Sequence, residues 1–461
     1  MSVVRLKNYR RRDAKIAEIV IGTVAINVLE GKVDHGRIGE SAGYAPDVLQ
    51  RFLDQSLCGR ATPDCAGVPM QRAPIDRAIG IIADLPGVNS VGGTLSPGGP
   101  IGTSDLTLDA TADPDRVWTI GVDNFGNRYI GRDRVSTGVR MNNPTGIGDR
   151  LIADLITSGR GMSNGYLEYS LPIGYAGWRT GLSATHSVYK LGAPFDLTDS
   201  HGKADILSPY LAYPLIRSQD KNLYFRGSYS AKWLEDDVLD SAFKKREHAF
   251  SLGLNGDTVD GLLGGGANGY ALSYGRGRIT LAGTASPAGV PNNSGDFDKI
   301  NYSLWRDQTL GYFNSSTTRL SLYGALRGQS ANRNLDSVEK FTLGGPGGVR
   351  AYPVGEAIGD EGKLATLELR YSTSVTAFGG SNLTLALFRD QGWLTVNHRP
   401  WAGYTGPATR QLHGNGVGIE FSRRNAFAWK LVWAVRDRGG ELPTSDDTNR
   451  NRFWLQGSLI F

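Results

Sequence analysis

The chain has 461 residues and a formal net charge of +5, from 50 basic and 45 acidic residues. This balance excludes the strongly basic surface that is typical of nucleic-acid-binding proteins. No stretch approaches the ~18 consecutive apolar residues of a membrane-spanning helix. A hydropathy scan would therefore favour a soluble protein, but it would overlook a β-barrel, whose strands alternate apolar and polar residues and give only a weak signal.

Residues 1–31 imitate a secretory signal peptide, because the basic stretch RLKNYRRR precedes the apolar stretch IAEIVIGTVAINVL. However, Glu18 and Asn27 interrupt the apolar stretch, and no small-residue cleavage site follows it. Val24, Ile26 and Val28 alternate with small or polar residues, which predicts a β-strand. We therefore expect the chain to begin inside a domain, with any signal peptide upstream of this sequence.

Residues 32–112 are predicted to form a small α/β domain. Strand-like sequence lies on both sides of a predicted turn at Glu30 and Gly31. APDVLQRFLDQSL and PIDRAIGIIADL carry apolar residues at helical spacing, whereas VNSVGGTL and SDLTLDATA have the composition of strands. The predicted order is strand, helix, helix, strand, strand.

The two cysteines, Cys58 and Cys65, flank the turn-like segment RATPD. They could form a small disulfide in an oxidising compartment or remain free thiols, and we favour the disulfide. Neither cysteine has a second Cys or His pair nearby at zinc-ligand spacing, so we predict no metal site.

From Arg116 onward, segments of about ten alternating residues recur to the end of the chain, which is typical of a membrane β-barrel. Counting these segments gives about 16 strands, an even number as such barrels require. The short connections are NNPTGIGD, LPIGYAG, FNSSTT and SRRNA, and the long polar ones are KLGAPFDLTDSHGK, LEDDVLDSAFKKRE, GTASPAGVPNNSGDFDK and RDRGGELPTSDDTNRN. The alternation of short and long connections favours an outer-membrane barrel over the alternative, a soluble β-sandwich.

Residues 341–371, FTLGGPGGVRAYPVGEAIGDEGKLATLELRY, form a connection that is too long and irregular for an ordinary hairpin. Arg350 lies there among apolar and aromatic residues rather than in a solvating polar tract. A barrel of this size encloses an aqueous channel, which would leak if it were open. We predict that this connection folds back into the lumen and plugs it.

Asp390 is predicted to face the lumen. In LTLALFRD, Asp390 shares its parity with Thr384 and Phe388, opposite to the leucines, which should face lipid. Arginine can bind a carboxylate through two parallel hydrogen bonds, which lysine cannot do, so Arg350 could pair with Asp390. The alternative is that Arg350 is a solvated loop residue and Asp390 is one of many lumen charges.

Several motifs resemble those of one family. LDSVEKFTLGGPGGVRAYPVGEAIGDEGKLATLELRY, DNFGNRYIGRDRVSTGVRMNNPTGIGD, LAYPLIRSQDKNL and ALFRDQGWL are similar to barrel motifs of two-partner secretion translocators. These translocators form the haemolysin-activator branch of the outer-membrane assembly superfamily. EGKV and DRAIGIIADLPGV resemble parts of a polypeptide-transport-associated (POTRA) domain. The resemblance covers residues 24–461.

The resemblance implies a 16-stranded transmembrane β-barrel at residues 113–461 and a periplasmic POTRA domain at residues 32–112. Residues 1–31 would end an earlier POTRA domain, whose remainder, with a signal peptide and a plug helix, is expected to be missing. The long loop would lie inside the barrel between strands 11 and 12. The implied motif residues are Gly344, Gly345, Val349, Arg350, Ala351 and Tyr352 on the loop, and Phe388, Asp390 and Gly392 on the wall. The family usually has glycine at the position of Ala351.

The function implied is secretion of an unfolded exoprotein across the outer membrane of a Gram-negative bacterium. The expected partners are that exoprotein, membrane lipid, and the barrel-assembly machinery, which would recognise the C-terminal Phe461. No cofactor is expected, since GGPGGVR lacks the Lys-Ser/Thr ending of a phosphate loop. The alternatives are a barrel-assembly factor, which would generally carry more POTRA domains, and a diffusion porin, which needs no α/β domain. An enzyme is not expected, because the histidines are scattered and no Gly-x-Ser-x-Gly motif is present.

Overall fold

The computed structural model describes residues 14–20, 23–28, 31–59, 65–239, 241–282, 293–313, 317–376 and 380–461, with side chains from residue 31 onward except that of Asp196. Strand β1 (Ala14–Val20) pairs antiparallel with β2 (Thr23–Val28). The strand predicted from the alternation of Val24, Ile26 and Val28 is therefore confirmed as β2. The basic stretch RLKNYRRR, residues 5–12, lies outside the described residues.

The N-terminal domain has the predicted order of elements. It comprises β3 (Lys32–Ser41), α1 (Pro46–Cys58), α2 (Arg72–Ala83), β4 (Val88–Pro97) and β5 (Thr103–Ala112). The sheet order is β3-β5-β4, with β5 parallel to β3 and antiparallel to β4. Within the described residues, no helix is long and apolar enough to cross a membrane.

The core of this domain lies between the two helices and one face of the sheet. On α1, Leu49, Phe52 and Leu53 are spaced for one helical face and are fully buried. Leu106 and Leu108 alternate along the central strand β5 and are also buried. Helical and strand periodicity therefore specify the two halves of one core.

A disulfide joins Cys58, the last residue of α1, to Cys65, and their Cα atoms are 5.6 Å apart. Residues 60–64 between them lie outside the described part of the chain. The Cys65 side chain is buried in the domain core. The bridge thus ties the end of α1 to the start of the following segment.

Residues 116–460 form a closed antiparallel barrel of 16 strands, the number predicted from the alternating segments. Its first eleven strands are β6 (Arg116–Asp123), β7 (Arg134–Asn142), β8 (Arg150–Thr157), β9 (Met162–Ile173), β10 (Trp178–Lys190), β11 (His201–Arg217), β12 (Lys221–Val238), β13 (Ser241–Asp260), β14 (Gly266–Leu281), β15 (Gly295–Phe313) and β16 (Thr318–Ala331). After a short internal pair, β17 (Phe341–Thr342) and β18 (Ile358–Gly359), the last five are β19 (Glu361–Val375), β20 (Ser381–Thr395), β21 (Thr409–Arg423), β22 (Phe427–Arg436) and β23 (Asn451–Ile460).

The barrel closes where β23 pairs with β6, from Gln456 opposite Asp123 to Ile460 opposite Thr119. Phe461 continues this seam, because its N–H donates to the Trp118 carbonyl at 3.0 Å and its own carbonyl accepts from Trp118 at 2.7 Å. Closure leaves no unpaired barrel edge, which is the condition for a β-structure to cross a lipid bilayer.

The outer face of the barrel carries an apolar belt. In register across four neighbouring strands, Leu322, Leu369, Leu387 and Val417 point outward and are exposed. Residues of the opposite parity, such as Thr366, Glu368 and Asp390, point into the lumen, where their polar groups contact one another and the inward-folded loop. The predicted alternation of a lipid-facing and a polar face is therefore confirmed.

The prediction that LEDDVLDSAFKKRE is a long loop is wrong. Strand β12 continues to Val238 and β13 starts at Ser241, with Glu235 paired in register opposite Lys244. The Glu235 carboxylate binds Lys203 at 2.9 Å and Lys244 at 3.1 Å. Opposite charges facing each other across neighbouring strands stabilise a polar hairpin, so a polar composition there does not indicate a loop.

The N-terminal domain is docked against the turns at its end of the barrel. Arg77 on α2 donates to the carbonyls of Pro214 at 3.0 Å and Ala176 at 3.2 Å. Arg217 at the end of β11 binds the Asp84 carboxylate through two hydrogen bonds of 2.9 Å. This end of the barrel is called the domain end below, and the opposite end is called the far end.

The outer belt generates a test of the membrane topology. Leu252 is 56% exposed at the centre of the apolar stretch on β13, whereas the adjacent Ser251 faces the lumen. We expect Leu252→Arg to lower the free energy of unfolding of the barrel in lipid vesicles by about 2–4 kcal/mol, the usual cost of a lipid-facing cation near mid-bilayer. Ser251→Arg, the matched control, should lower it far less. Equal losses in urea titrations would contradict the assignment of the two faces.

Candidate functional site in the barrel lumen

The connection between β16 and β19, barrel strands 11 and 12, enters the lumen as predicted. We call residues 332–360 the lumen loop and residues 343–357 its tip. Strands β17 and β18 pair Phe341 with Gly359 and Thr342 with Ile358, so the two legs of the loop run side by side. The loop starts at the far end and contacts lumen-facing residues on several arcs of the wall.

The tip is shaped by its own backbone and by glycines. The Val349 N–H donates to the Leu343 carbonyl at 2.7 Å, and Gly344 donates to Glu356 at 2.9 Å. Gly345 has a φ of +106°, which side chains rarely adopt. A Cβ on Gly348 would lie 1.8 Å from the Leu343 carbonyl oxygen. The glycine-rich sequence is therefore required for the tight fold of the tip.

The Arg350 guanidinium at the tip binds Asp390 on β20 through two parallel hydrogen bonds. Nε donates to Oδ2 and Nη2 to Oδ1, each at 2.8 Å, and the Arg350 backbone N–H also donates to Oδ2 at 3.1 Å. Thr366 on β19 donates to the same carboxylate at 3.0 Å. Asp390 is thus fully buried and has acceptor contacts to both the loop and the wall.

Glu368 on β19 provides a second carboxylate for Arg350, with Nη1 and Oε1 2.7 Å apart. The other oxygen of Glu368 accepts from Arg370 at 2.7 Å. The Arg350 guanidinium also lies over the Phe388 ring, 3.4 Å from its centre, a cation–π contact. The positive charge is therefore paired on its edges and covered on one face, as a buried cation requires.

Apolar residues of the tip pack on the wall beside this ion pair. Leu343, Val349 and Tyr352 are fully buried in a cluster with lumen-facing residues of β19 to β23. The Trp454 indole on β23 donates to the Arg350 carbonyl at 2.7 Å. Gly392 leaves the space for this packing, because a Cβ there would lie 2.8 Å from Leu343.

The structure accommodates Ala351, which stands where the resembling family usually has glycine. The methyl group is buried and points at Gly414 on β21. A Cβ on Gly414 would lie 2.3 Å from the Ala351 Cβ. The glycine on the wall therefore makes room for the extra methyl group on the loop.

Glu356 connects the tip to residues 437–450, the far-end connection between β22 and β23. Its buried carboxylate accepts from the backbone N–H groups of Thr444 and Ser445, both at 2.8 Å, and from Arg410 at 2.7 Å. The sequence did not single out Glu356. The far-end connection consequently covers the lumen loop.

Asp446 holds that far-end connection against the one between β6 and β7. Its carboxylate binds Arg132 at 2.7 Å and Arg452 at 3.2 Å. Burial tends to raise the pKa of Asp446, but hydrogen bonds from Arg132 and the Asp447 N–H outweigh it and hold the pKa below its usual value. The carboxylate therefore stays ionised and keeps its arginine partners at neutral pH.

Sequence reasoning paired Arg350 with Asp390, and the structure places them in contact; it also places the predicted Gly344, Gly345, Val349, Ala351, Tyr352, Phe388 and Gly392 at this interface. Sequence reasoning missed Glu368, although its parity with Thr366 and Arg370 marked it as lumen-facing. It also missed Trp454, which no local pattern connects to residues a hundred positions earlier.

One group of side chains in the described residues has ligand atoms close enough to share a metal ion: Asp34, His35 and Asp105, all within 4.8 Å. It lies in the N-terminal domain and not in the lumen. The His35 Nδ1 is 3.2 Å from an Asp105 carboxylate oxygen. The Asp105 carboxylate also accepts the His35 backbone N–H, and the Asp34 carboxylate accepts the Gly99 backbone N–H. These contacts account for the cluster without a metal.

The family model for haemolysin secretion/activation proteins ShlB/FhaC/HecB matches residues 102–421. The heme/hemopexin transporter protein HuxB of Haemophilus influenzae is 28% identical over 460 residues, covering 97% of this chain and 78% of the relative. The solved structure of CdiB from Escherichia coli superposes with a TM-score of 0.77 at 20% identity, covering 97% of this chain and 80% of that one. BamA from Haemophilus ducreyi gives a TM-score of 0.55 at 13% identity, covering 95% and 86%.

The closed barrel, its apolar belt and its inward-folded loop define an outer-membrane β-barrel transporter. The chain belongs to the haemolysin secretion/activation family, and it is an outer-membrane transporter of the two-partner secretion class. This confirms the family, the function class and the outer-membrane location that the sequence motifs implied. The domain end of the barrel is the periplasmic end, and the far end is extracellular.

The packing at Gly392 generates a prediction. We expect Gly392→Ala to push the buried Leu343 away and to destabilise the docked tip by about 1–3 kcal/mol, as overpacking does. Hydrogen exchange of the backbone amides at residues 343–357 should then quicken roughly 5- to 150-fold. The matched control is Gly418→Ala on β21, whose added Cβ meets nothing closer than 3.8 Å. Unchanged exchange in Gly392→Ala, or equal changes in both variants, would contradict this packing.

Proposed function

We propose that the chain secretes an unfolded exoprotein through its barrel and that the lumen loop is the movable plug of this route. The observation that carries the proposal is the way in which the loop is held. Its tip is fixed to the wall by a buried ion pair and by packing, with no covalent link, so it can undock and return.

The Arg350 site suits a plug that must hold one position and also leave it. Removing one partner of a buried ion pair typically costs about 3–5 kcal/mol, because the other charge is left uncompensated. When the whole tip moves into a water-filled lumen, both groups are hydrated and the net change is smaller. Bidentate geometry with Asp390 supplies direction as well as attraction, so the tip returns to a single docked position.

Capture of the exoprotein is assigned to the N-terminal domain, which we infer to be a POTRA domain at residues 32–112. In the sheet order β3-β5-β4, no described strand pairs with the outer edge of β4. An extended polypeptide could add to such an edge through backbone hydrogen bonds, which recognise an unfolded chain without requiring one sequence. Folding of the exoprotein outside the cell would then favour outward movement without a nucleotide.

The partners proposed are a secreted exoprotein of the two-partner type, outer-membrane lipid and the barrel-assembly machinery. The proposed signal for assembly is the C-terminal Phe461, which is exposed and ends the outward-facing apolar row of β23. A diffusion porin or a barrel-assembly factor would share parts of this architecture, but neither explains a family match to secretion proteins together with a docked plug. Enzymatic activity is not proposed.

The role of the ion pair is tested by secretion of the cognate exoprotein. We expect Arg350→Ala and Asp390→Asn each to lower secretion about tenfold or more, because the tip loses its defined docked position, which is worth several kcal/mol. Arg350→Lys should fall between these variants and the wild type, since an ammonium group cannot reproduce the bidentate contact.

The control is Arg276→Ala, which removes an exposed guanidinium from the outer face. The amount of heat-modifiable, folded barrel in the outer membrane must stay constant across all variants. Wild-type secretion by Arg350→Ala would remove the loop tip from the mechanism. Wild-type protein that forms an open pore without secreting any exoprotein would instead favour a porin.

A further inference from the structure

The lumen loop is attached to the wall at a second place, remote from Arg350. We call residues 332–340 the descending leg. Leu335 on this leg is buried against Ile279, Phe297 and Ala331, which lie on β14, β15 and β16. The Arg350 site, by contrast, lies on β19 and β20. The leg and the tip therefore bind different arcs of the barrel.

The descending leg carries two acidic residues that meet lysines of the wall. Asp336 binds Lys245 on β13, with Nζ and Oδ2 2.9 Å apart. The buried Glu339 binds Lys299 on β15 at 2.5 Å and also contacts Lys232 on β12. Gln329 on β16 donates to the Glu339 carbonyl at 2.9 Å. These contacts hold the leg as the Arg350 pair holds the tip.

Lys232 has a second partner that belongs to the wall and not to the loop. Glu247 on β13 lies opposite Lys232 in register, is fully buried, and places Oε1 2.8 Å from the Lys232 Nζ. Lys232 is thus shared between one carboxylate that is fixed to the wall and one that moves with the loop. The formal charges of Lys232, Lys299, Glu247 and Glu339 sum to zero when the loop is docked.

This shared lysine changes the cost of undocking the leg. When Glu339 leaves, Lys232 keeps Glu247 as its counter-ion, so only Lys299 loses its carboxylate partner within the group of four. Without Glu247, two neighbouring lysines would face each other uncompensated in the wall, which is unfavourable where desolvation is strong. Glu247 therefore both competes with Glu339 for Lys232 and replaces it after release.

A cavity lies next to this cluster, on its periplasmic side. The cavity has a volume of about 590 Å³ and is lined by wall residues of β12 to β16 and by Phe341 of the lumen loop. Small polar side chains line much of it, including Ser228, Ser251, Asn255, Ser273, Asn301 and Ser303. Along the strands, Lys232, Glu247 and Lys299 lie two to four residues nearer the extracellular end than Ser228, Ser251 and Asn301. The cluster thus lies on the extracellular side of this space.

We propose that Glu339 and Lys232 form a second latch of the lumen loop, and that Glu247 is a built-in exchange partner that allows this latch to open. The proposal rests on the proposed function, because it assigns a gating role to residues of the same plug. It makes Glu339 a residue that favours the closed state and Glu247 one that favours the open state.

The test uses two substitutions of the same chemistry on neighbouring carboxylates. In planar-bilayer recordings of the full-length protein, Glu339→Gln should raise the fraction of time spent open about tenfold. Glu247→Gln should lower it by a similar factor, since Lys232 is then left to Glu339 alone. A merely structural role would move both variants in the same direction, and that result would overturn the proposal.

A matched control and a third variant keep the test independent of folding at one site. Glu235→Gln, on the same strand as Lys232 but on the outer face, should leave the open fraction unchanged. Lys299 binds Glu339 and no other carboxylate among the described residues. Lys299→Gln should therefore raise the open fraction even if Glu247→Gln does not fold. No increase in Lys299→Gln or Glu339→Gln would overturn the second latch.

Secretion of the cognate exoprotein, measured on the same variants, separates this proposal from the proposed function. If the wild type secretes and the open fractions of Glu339→Gln and Glu247→Gln change in the same direction, the proposed latch is wrong and the secretion function stands. If the wild type does not secrete but the open fractions change in opposite directions, the latch stands and the secretion function fails.

Discussion

A buried guanidinium organises this molecule. Arg350 takes a positive charge into the barrel wall, where it is tolerated because Asp390 and Glu368 accept its hydrogen bonds and Phe388 covers one face. Those contacts require the tip to approach the wall closely. Gly392 on the wall follows from that requirement, since a Cβ there would lie 2.8 Å from Leu343. Gly344 and Gly348 are required instead by the tight fold of the tip, because a Cβ on either would collide with other atoms of the loop.

The need for this interaction arises from the size of the barrel. Sixteen strands in a closed ring leave no strand edge unpaired, but they also enclose a lumen that side chains alone do not fill. A segment folded into that lumen must remain bound to the wall and still be releasable. Polar contacts in a water-filled channel serve both purposes, because each group can exchange its partner for water or for another side chain.

The contacts of the lumen loop divide it into two parts. Its tip binds β19 to β23 beside Arg350, and residues 332–340 bind β12 to β16 through Leu335 and acidic side chains. Lys340 and Asp360, 2.6 Å apart, connect the two legs between these regions. Movement of the tip alone would therefore leave much of the loop in the lumen, and complete opening requires both arcs of the wall to release it.

The sequence alone determined the local features: alternating faces, the number of barrel strands, the presence and order of the two helices of the N-terminal domain, and the lumen-facing parity of Asp390. These properties depend on the period of each strand or helix. Tertiary structure decided that Glu368 joins Asp390 at Arg350, that Gly414 admits the Ala351 methyl group, and that Lys232 reaches Glu339, 107 positions later. It also decided that residues 234–238 pair with residues 241–245 as the two sides of a hairpin. Such contacts depend on the stagger of strands around the closed barrel, and a polar segment outside the lipid has the same composition whether or not it pairs.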